Sequence, residues 1–166
     1  MRFKFLSVLA AGLLLAACSS TPEDTAGSTA GGSTTGGGTG TVAGTVVPGS
    51  QEDLVQNVGD RVYFGFDKYD LTPEAQATLE RQAAWMQQHP AVTVTVEGHA
   101  DERGTREYNL ALGERRANAA KNYLVSLGIA ESRITTVSYG KERPVALGSN
   151  EQAWARNRRA VTIVVN

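Results

Sequence analysis

Residues 50–166 predict a two-layer α/β sandwich of the α+β class, with helices covering mainly one face of a mixed four-stranded sheet. Four segments alternate apolar and polar residues, which is the period of a strand that buries one face. The segments between them carry apolar residues every three or four positions, the period of a helix packed along one side. The resulting order is βαβαβ(α)β, and the short excursion before the last strand favours an antiparallel return.

The first elements of this domain are a short helix and a strand. Residues 50–57 open with Ser-Gln-Glu-Asp, whose serine can cap the free N–H groups of a helix start. Residues 61–67, RVYFGFD, place Val62, Phe64 and Phe66 on one face. We therefore predict a strand that runs to the aspartate at the end of this segment.

The middle of the domain predicts two helices separated by a strand. Thr72 begins a helix, because a capping hydroxyl is followed by proline and an acid in the first turn, and Pro90 closes it. Residues 91–98, AVTVTVEG, form a strand with valines on one face and a half-wet opposite face. A second helix covers about 105–127 and stops at Gly128.

The long helix carries small apolar residues that allow it to lie close against the sheet. Two more strands, residues 134–140 and 160–165, follow it, with a short capped helix at 149–156 between them. The apolar stripe of the long helix comprises Leu110, Gly113, Ala117, Ala120, Leu124 and Leu127.

Residues 1–17 have the organisation of a secretory leader. Arg2 and Lys4 supply positive charge, and residues 6–15 form an apolar run that is too short to remain in a bilayer as a spanning helix. The leader closes with Leu-Ala-Ala before Cys18, which resembles the lipobox of bacterial lipoproteins. That resemblance implies cleavage before Cys18, which then carries an N-acyl group and an S-diacylglycerol.

The residues after the cysteine predict a tether. In diderm bacteria an aspartate at the next position usually retains a lipoprotein in the inner membrane, so Ser19 implies the periplasmic face of the outer membrane. Residues 18–49 are dominated by Gly, Ser and Thr and lack aromatic residues, which predicts a flexible linker. About thirty such residues span roughly 30 Å as a coil and about 100 Å when stretched. We expect a domain anchored by lipid and not by a spanning segment.

Composition argues against several classes of function. The formal net charge is −1, which gives no sign of a surface for nucleic acid. Cys18 is the only cysteine, so an intramolecular disulfide is excluded, as is thiolate catalysis in the folded part. His89 and His99 are the only histidines, too few for a typical zinc site when the single thiol carries lipid. The sequence contains no G-x-S-x-G or H-E-x-x-H motif, and we expect no enzyme activity, cofactor or metal.

The stretch GHADERGTREYN, residues 98–109, holds the most concentrated group of ionisable side chains. Asp101 follows a predicted strand and precedes a helix, and Arg116 lies about three turns into that helix. A long arginine can turn back along its helix toward this loop, where the first helical N–H groups are free. Asp67, at the end of another strand, can reach the same edge. Such a pocket suits a zwitterion, because carboxylates hold an ammonium while arginine and N–H groups hold a carboxylate.

Neighbouring side chains in the same stretch have simpler interpretations. For His99, Glu102 and Glu107 we expect structural or solvated roles, whereas Arg103 stays open between a structural and a ligand-binding role. Because Glu97 and Asp67 can approach the carboxylates of this loop, a pair of catalytic carboxylates also stays open at this point.

Longer motifs at these residues resemble the peptidoglycan-associated lipoproteins of diderm bacteria, which carry an OmpA-like domain. The motifs are, in order, VYFGFDKYDLTPEA, VTVEGHADERGTREYNLALGERRANAAKNYL, VSYGKERP and NRRAV. The resemblance covers about residues 50–166 and agrees with the lipobox and the linker. It implies an OmpA-like fold, with a mixed four-stranded sheet and helices on one side, and non-covalent binding of peptidoglycan.

The resemblance also implies a ligand and the residues that bind it. In that family the ligand is the meso-diaminopimelate of the stem peptide, whose free ammonium and carboxylate form a zwitterion. The family's ligand-binding aspartate matches Asp101 in HADERG, and its arginine matches Arg116, the second arginine of GERRANA. The remaining matches are Asp67, Ala100, Thr105 and Leu112, with Arg103 and Asn109 as further candidate contacts.

The partners that the resemblance implies are peptidoglycan, the propeller protein TolB and other Tol-Pal components, with the outer membrane reached through the lipid. The implied role is to keep the outer membrane attached to the wall and to draw it in at cell division. Two alternatives stay open, namely an enzyme acting on peptidoglycan and an OmpA-like lipoprotein without the Tol partnership.

Overall fold

The computed structural model of the protein describes residues 46–165. The expected leader, residues 1–17, the lipidation site at Cys18 and nearly all of the expected linker, residues 18–49, lie outside the described residues. Within the described part, no helix is both long and apolar enough to cross a membrane. The predicted domain, residues 50–166, is described except for its last position.

The elements follow the predicted order βαβαβ(α)β, preceded by a short helix. Two single turns, one π-helical and one 3₁₀, adjoin them. The bounds are α1 Gln51–Asp53, the π turn Leu54–Val58, β1 Arg61–Tyr63, α2 Pro73–Gln88, β2 Thr93–His99, α3 Arg106–Ser126, the 3₁₀ turn Glu131–Arg133, β3 Ile134–Gly140, α4 Glu151–Asn157 and β4 Arg159–Val165.

Side-chain caps begin the helices where the sequence predicts them. Ser50, Thr72 and Asn150 each accept a hydrogen bond from the backbone N–H three residues further on, at 3.2, 3.2 and 3.0 Å. Each cap satisfies a helical N–H that has no partner within the helix, a contribution of about 1 kcal/mol. The first helix extends to Val58 through the π turn and ends at Gly59, whose φ is +98°.

The sheet has the strand order β1-β4-β2-β3 and is mixed. β2 and β3 are parallel, with Val96 opposite Thr136, and β4 is antiparallel to β2, with Val96 opposite Thr162. β1 pairs antiparallel with the other edge of β4. The short connection through α4 returns the chain beside β2 in the reverse direction, and the predicted two-layer fold with a mixed four-stranded sheet is confirmed.

The core lies between the sheet and the two long helices. Val94 and Val96 are 1% and 0% exposed, whereas Thr93 on the opposite face is exposed, which confirms the predicted alternation. From α2, Leu79 and Met86 pack into the same core at 1% and 0% exposure. Full burial of each such side chain contributes about 1.5–3 kcal/mol to folding.

Two glycines bring α3 close against the sheet. A Cβ atom on Gly98 would overlap the carbonyl oxygen of Gly113, and a Cβ on Gly113 would overlap Ser138 Oγ. That hydroxyl donates to the carbonyl oxygen of Leu110 at 2.7 Å. Leu110 itself was predicted to belong to the apolar stripe but is 49% exposed, because its carbonyl and not its side chain faces β3. The contact fixes the first turns of α3 beside the end of β2.

β1 is shorter than the sequence predicts. The alternation predicted a strand over 61–67, but the strand ends at Tyr63. The chain then turns, and Asp67 adopts a φ of +56°, in the left-handed region that a strand does not contain. As a result Phe66, predicted to face the core, is 60% exposed. The prediction was wrong here because alternation of residue types does not reveal a turn within the segment.

Candidate functional site

A cleft opens where β2 ends, between the loop after β1, the loop after β2 and the first turns of α3. Its volume is about 170 Å³, several times the roughly 30 Å³ that a water molecule takes up in the liquid. Most of the predicted site residues line it, while Ala100 and Thr105 are next to lining residues in the chain. The lining residues are Phe66, Asp67, Asp101, Arg103, Gly104, Tyr108, Asn109, Leu112 and Arg116.

Asp101 is a buried carboxylate, 5% exposed, whose two oxygens accept four hydrogen bonds. Arg103 donates from its backbone N–H at 3.1 Å, from Nε at 3.2 Å and from Nη2 at 2.6 Å. Arg158 donates from Nη1 at 3.4 Å. Burial opposes ionisation, but the hydrogen bonds and charge of Arg103, with the bond from Arg158, outweigh it and lower the pKa of Asp101. Asp101 is therefore negatively charged at neutral pH.

Arg103 forms one wall of the cleft. Its guanidinium carbon lies 4.1 Å from the centroid of the Phe66 ring and 4.0 Å from that of Trp154. Cation–π contact with two rings and the bonds to Asp101 hold this side chain, which stays 30% exposed. The sequence did not decide whether Arg103 has a structural or a ligand-binding role. The structure brings it into the cleft beside Asp101.

Arg116 is fully buried, and backbone carbonyls hold its guanidinium. Nε donates to the carbonyl oxygen of Lys68 at 2.8 Å, Nη1 to that of His99 at 2.8 Å and Nη2 to that of Gly65 at 3.1 Å. Burial lowers its pKa to about 10, against the opposing effect of Asp101. The side chain does turn from its helix toward the loops, as the sequence predicts. It also joins the loop after β1 to the end of β2, a structural role that the sequence did not predict.

Asp67 is the exposed carboxylate of the cleft. Its left-handed backbone, with φ of +56°, turns it toward α3, where it accepts a hydrogen bond from the hydroxyl of Tyr108. That bond raises the pKa of Tyr108. Within residues 46–165 this is the one hydrogen bond that Asp67 accepts from another side chain, so it keeps acceptor capacity for a ligand.

The loop before α3 is held by hydrogen bonds at both ends. Thr105 Oγ1 accepts the N–H of Tyr108 at 3.2 Å, which makes Thr105 the cap of the helix. Asn109 Nδ2 donates to the carbonyl oxygen of Arg103 at 2.8 Å, and Lys141 Nζ donates to that of Gly104 at 2.8 Å. Thr105 thus shapes the start of α3, whose first N–H groups have no partner within the helix.

Two further predicted residues supply apolar packing. Leu112 lines the cleft at 4% exposure, and Ala100 is 3% exposed. The backbone N–H of Ala100 donates to the carbonyl oxygen of Gly140 at 2.8 Å, which ties the end of β2 to β3. Ala100 therefore positions Asp101.

The sequence did not identify Arg158 as a residue of the site. It is 6% exposed, and its Nε donates to the carbonyl oxygen of Phe64 at 3.0 Å while Nη2 donates to Glu151 at 2.6 Å. With its bond to Asp101, it joins β4, α4 and the cleft. The one available signal was its place in the NRRAV motif, because 57 residues separate it from Asp101.

His99, Glu102 and Glu107, in the stretch of residues 98–109, take the structural or solvated positions that we expected. His99 is 1% exposed, stacks on Tyr139 with ring centroids 5.6 Å apart, and has Nε2 3.3 Å from Glu97. Burial, with the nearby arginines of β4 and the loop after β3, lowers its pKa to about 3. Glu102 accepts a hydrogen bond from the indole of Trp154 at 3.0 Å, and Glu107 is exposed.

The charges of the cleft divide equally between the two signs. Two carboxylates, Asp67 and Asp101, and two guanidinium groups, Arg103 and Arg116, line it. In the described part of the chain, no group of three or more His, Cys, Asp or Glu residues is arranged to hold a metal ion. The arrangement favours a ligand that carries both a positive and a negative group.

Comparison with known proteins gives consistent matches. The family model described as the OmpA family matches residues 63–158. The chain is 50% identical over 155 residues to the peptidoglycan-associated lipoprotein of Rhizobium meliloti (strain 1021), covering 92% of this chain and 82% of that one. It is 48% identical over 157 residues to the protein of the same name from Haemophilus influenzae (strain Rd), covering 93% and 94%.

Solved structures match the described fold. The crystal structure of the peptidoglycan-associated lipoprotein from Burkholderia pseudomallei matches with a TM-score of 0.62 and 45% identity, over 64% of this chain and 90% of that chain. The C-terminal domain of Helicobacter pylori MotB matches with a TM-score of 0.60 over 64% of this chain and 84% of that chain. At 20% identity the second match concerns the fold alone.

Proposed function

The chain belongs to the OmpA family and, within it, to the peptidoglycan-associated lipoproteins, and we therefore propose that its cleft binds peptidoglycan non-covalently. Members of these families are structural, peptidoglycan-binding proteins and not enzymes. The protein is accordingly a peptidoglycan-binding lipoprotein of the outer membrane. Its mechanism is physical attachment, in which no covalent bond is made or broken.

The specific ligand that we propose is the meso-diaminopimelate residue of the stem peptide. The observation that carries this proposal is the convergence of two carboxylates and two guanidinium groups in one cleft of about 170 Å³. The free end of meso-diaminopimelate carries one ammonium and one carboxylate. Both groups find a partner of opposite charge there, and charge-assisted hydrogen bonds are stronger than neutral ones.

The ammonium is assigned to the carboxylates. Asp67 makes the first contact, because it is exposed and keeps acceptor capacity within the described residues. Asp101 already accepts four hydrogen bonds, so it takes the ammonium only when Arg103 turns away from it. Arg103, whose side chain is 30% exposed, must then give up its contacts with Phe66 and Trp154 as well as its bonds to Asp101.

The carboxylate of the ligand is assigned to arginine and to the start of α3. Arg116 is fully buried, and three of its five N–H groups donate to backbone carbonyls, so within residues 46–165 two N–H groups keep donor capacity for a ligand that enters the cleft. Arg103 adds a second guanidinium once it has left Asp101. The first N–H groups of α3, which begins at Arg106, complete the positive side.

We infer that single contacts are weak and that attachment is collective. An exposed ion pair contributes about 0–1 kcal/mol, and charge-assisted bonds in a partly dry cleft contribute more. Peptidoglycan is a dense polymer, and lipid at Cys18 confines many copies at its surface, so the effective concentration is high. The linker, residues 18–49, allows each domain to reach the wall from the membrane. Individual contacts can then break and reform while the envelope stays attached.

We further propose that the protein works with TolB and other Tol-Pal components and serves envelope integrity and constriction of the outer membrane at division. Support for this step comes from the family relationship alone. Capture of TolB from a periplasmic extract by the full-length protein tests it. Failure of that capture, with wall binding intact, would instead favour an OmpA-like lipoprotein without the Tol partnership.

The proposed ligand is tested by sedimentation with purified sacculi. The full-length protein in detergent micelles should sediment with sacculi that contain meso-diaminopimelate, and millimolar stem tripeptide should release it. Raised salt should weaken sedimentation, because the contacts are charged. Sacculi with lysine in place of meso-diaminopimelate are the control. Sedimentation that neither tripeptide nor salt reduces would contradict the proposal, and release of soluble fragments would reopen the enzyme alternative.

A further inference from the structure

Two exposed tyrosines and an arginine lie next to the cleft on its α3 side. Tyr69 and Tyr108 are 46% and 45% exposed. The guanidinium carbon of Arg115 is 5.6 Å from the ring centroid of Tyr69 and 5.9 Å from that of Tyr108. We call Tyr69, Tyr108 and Arg115 the aromatic platform.

The platform is held in place although it is not buried. Tyr108 is fixed by the hydrogen bond from its hydroxyl to Asp67, and Arg115 lies over both tyrosine rings. Tyr69 belongs to the same loop, after β1, that Arg116 ties down through the carbonyl oxygen of Lys68. Exposed aromatic rings that are held in one place mark binding surfaces, because they offer a large apolar face at little further cost in conformational entropy.

The platform and the cleft are continuous, since Tyr108 belongs to both. The stem peptide joins its muramic acid sugar through a lactyl group, and meso-diaminopimelate is its third residue. Three extended residues span about 10 Å of main chain, and the diaminopimelate side chain and the lactyl group add to this reach, so the sugar of a peptide bound in the cleft can lie just outside the cleft mouth. The platform is therefore within reach of that sugar.

We propose that the aromatic platform binds the glycan strand of peptidoglycan at the sugar that carries the stem peptide. This inference rests on the proposed function of the cleft. A pyranose ring has an apolar C–H face that can pack on the tyrosine rings. The carbonyl of its acetamido group can accept a hydrogen bond from the Arg115 guanidinium. Peptide and sugar are then recognised together.

A protein partner fits the platform less well. Stable protein interfaces bury about 800 Å² on each partner, far more than two partly exposed tyrosines and an arginine provide. A sugar ring matches an area of this size. The platform also adjoins a cleft whose proposed ligand is covalently linked to sugar, which no protein partner explains.

The test compares two ligands that share one peptide. The full-length protein in detergent micelles is titrated calorimetrically with the stem tripeptide alone and with the disaccharide-tripeptide. We expect the disaccharide form to bind roughly three- to tenfold more tightly, the range for one aromatic contact. Tyr69→Ala should remove this gain and leave tripeptide affinity unchanged, since Tyr69 does not line the cleft. Tyr69→Phe, which keeps the ring, should retain the gain.

The matched control is Tyr63→Ala, which removes a tyrosine of 48% exposure at the end of β1, outside the cleft lining. Equal affinity for the two ligands would overturn the glycan proposal while leaving the peptide cleft intact. A Tyr69→Ala variant that loses crosslinking to a protein in cells, with both ligands bound as before, would make the platform a protein contact and also overturn it. Binding of neither ligand would contradict the proposed function itself.

Discussion

Arg158 Nη1 lies 3.4 Å from Asp101 Oδ2, and both side chains are buried. Through this contact a residue between α4 and the last strand holds the carboxylate that follows β2 in its place. The second terminal nitrogen of Arg158 bonds Glu151 at 2.6 Å, so α4 takes part in the arrangement of the cleft. The geometry of the cleft therefore depends on a residue that does not line it.

Arg158→Ala should lower the free energy of unfolding by about 3 kcal/mol, because removing one partner of a buried ion pair leaves the other uncompensated. The residual bond from Arg103 keeps Asp101 from being wholly unpaired. Urea denaturation measures the change, with Arg156→Ala, an exposed arginine of α4, as control. Equal stability of the two variants would show that Arg158 does not support the cleft.

Asp67→Asn should weaken binding of stem tripeptide by about tenfold, through loss of the charge that meets the ammonium. Asparagine tolerates the left-handed backbone at this position, so the loop should keep its shape. Asp70→Asn, in the same exposed loop, is the matched control and should bind as the unaltered protein does. A loss of the same size in both variants would point to general electrostatics and not to a contact at Asp67.

Gly98→Ala should destabilise the fold by about 3 kcal/mol or more, because a methyl group there overlaps the backbone of α3 and cannot be accommodated by a rotamer change. Gly65→Ala is the control, since its added Cβ meets only the flexible side chain of Lys68 at ordinary contact distance. Thermal denaturation distinguishes them. If the Gly98→Ala protein has the same melting temperature as the control, α3 and the sheet are not closely packed.

His99 should make the domain sensitive to acid. Its pKa in the fold is lowered to about 3 by burial and by Arg159 and Arg143, whereas the ordinary value is 6.5. The unfolded chain therefore takes up a proton at a pH where the folded chain does not. This contribution to stability is complete above about pH 6.5 and is lost as pH falls toward 3.

His99→Phe keeps an aromatic ring against Tyr139 and should flatten the loss of stability between pH 6.5 and 4. Urea denaturation at several pH values measures this, with Glu97 and the neighbouring arginines unchanged. The ring resonances of His99 provide a direct check by NMR. Titration of the ring near pH 6.5 in the folded protein would contradict the burial argument.

Cys18→Ser should release the protein from the outer membrane, because lipid at Cys18 is its expected anchor. Fractionation of the envelope measures the change. Ser19→Asp is the matched variant, since it keeps the lipid and should redirect the protein to the inner membrane. Outer-membrane fractionation of Cys18→Ser would contradict the assignment of residues 1–18 as a lipoprotein leader with its modified cysteine.

Regular periodicity made most of the fold predictable. Val94 and Val96 alternate with polar neighbours, and buried faces are recognisable wherever such alternation continues. Phe66 was misplaced because a turn follows β1 without a break in the alternation. Leu110 was misplaced because the close approach at Gly113 presents the helix backbone to the sheet.

The candidate site was predictable where its residues lie on neighbouring elements. Asp67 and Asp101 lie in loops after strands, and Arg116 lies on one face of a helix. These positions meet at one edge of the sheet. Arg158 was not predictable in this way, because its contact depends on how β4 packs beside β2. The full burial of Arg116 was also hidden, since an arginine on a helix is ordinarily exposed.

We expect the cleft to bind the zwitterionic end of the stem peptide, and residue-resolved NMR detects such binding at each residue. The full-length protein in detergent micelles is titrated with meso-diaminopimelate and with stem tripeptide. We predict chemical shift changes that saturate and that cluster at Asp67, Asp101, Thr105 and Arg116. A folded protein that shows no shifts there at millimolar ligand would contradict the account.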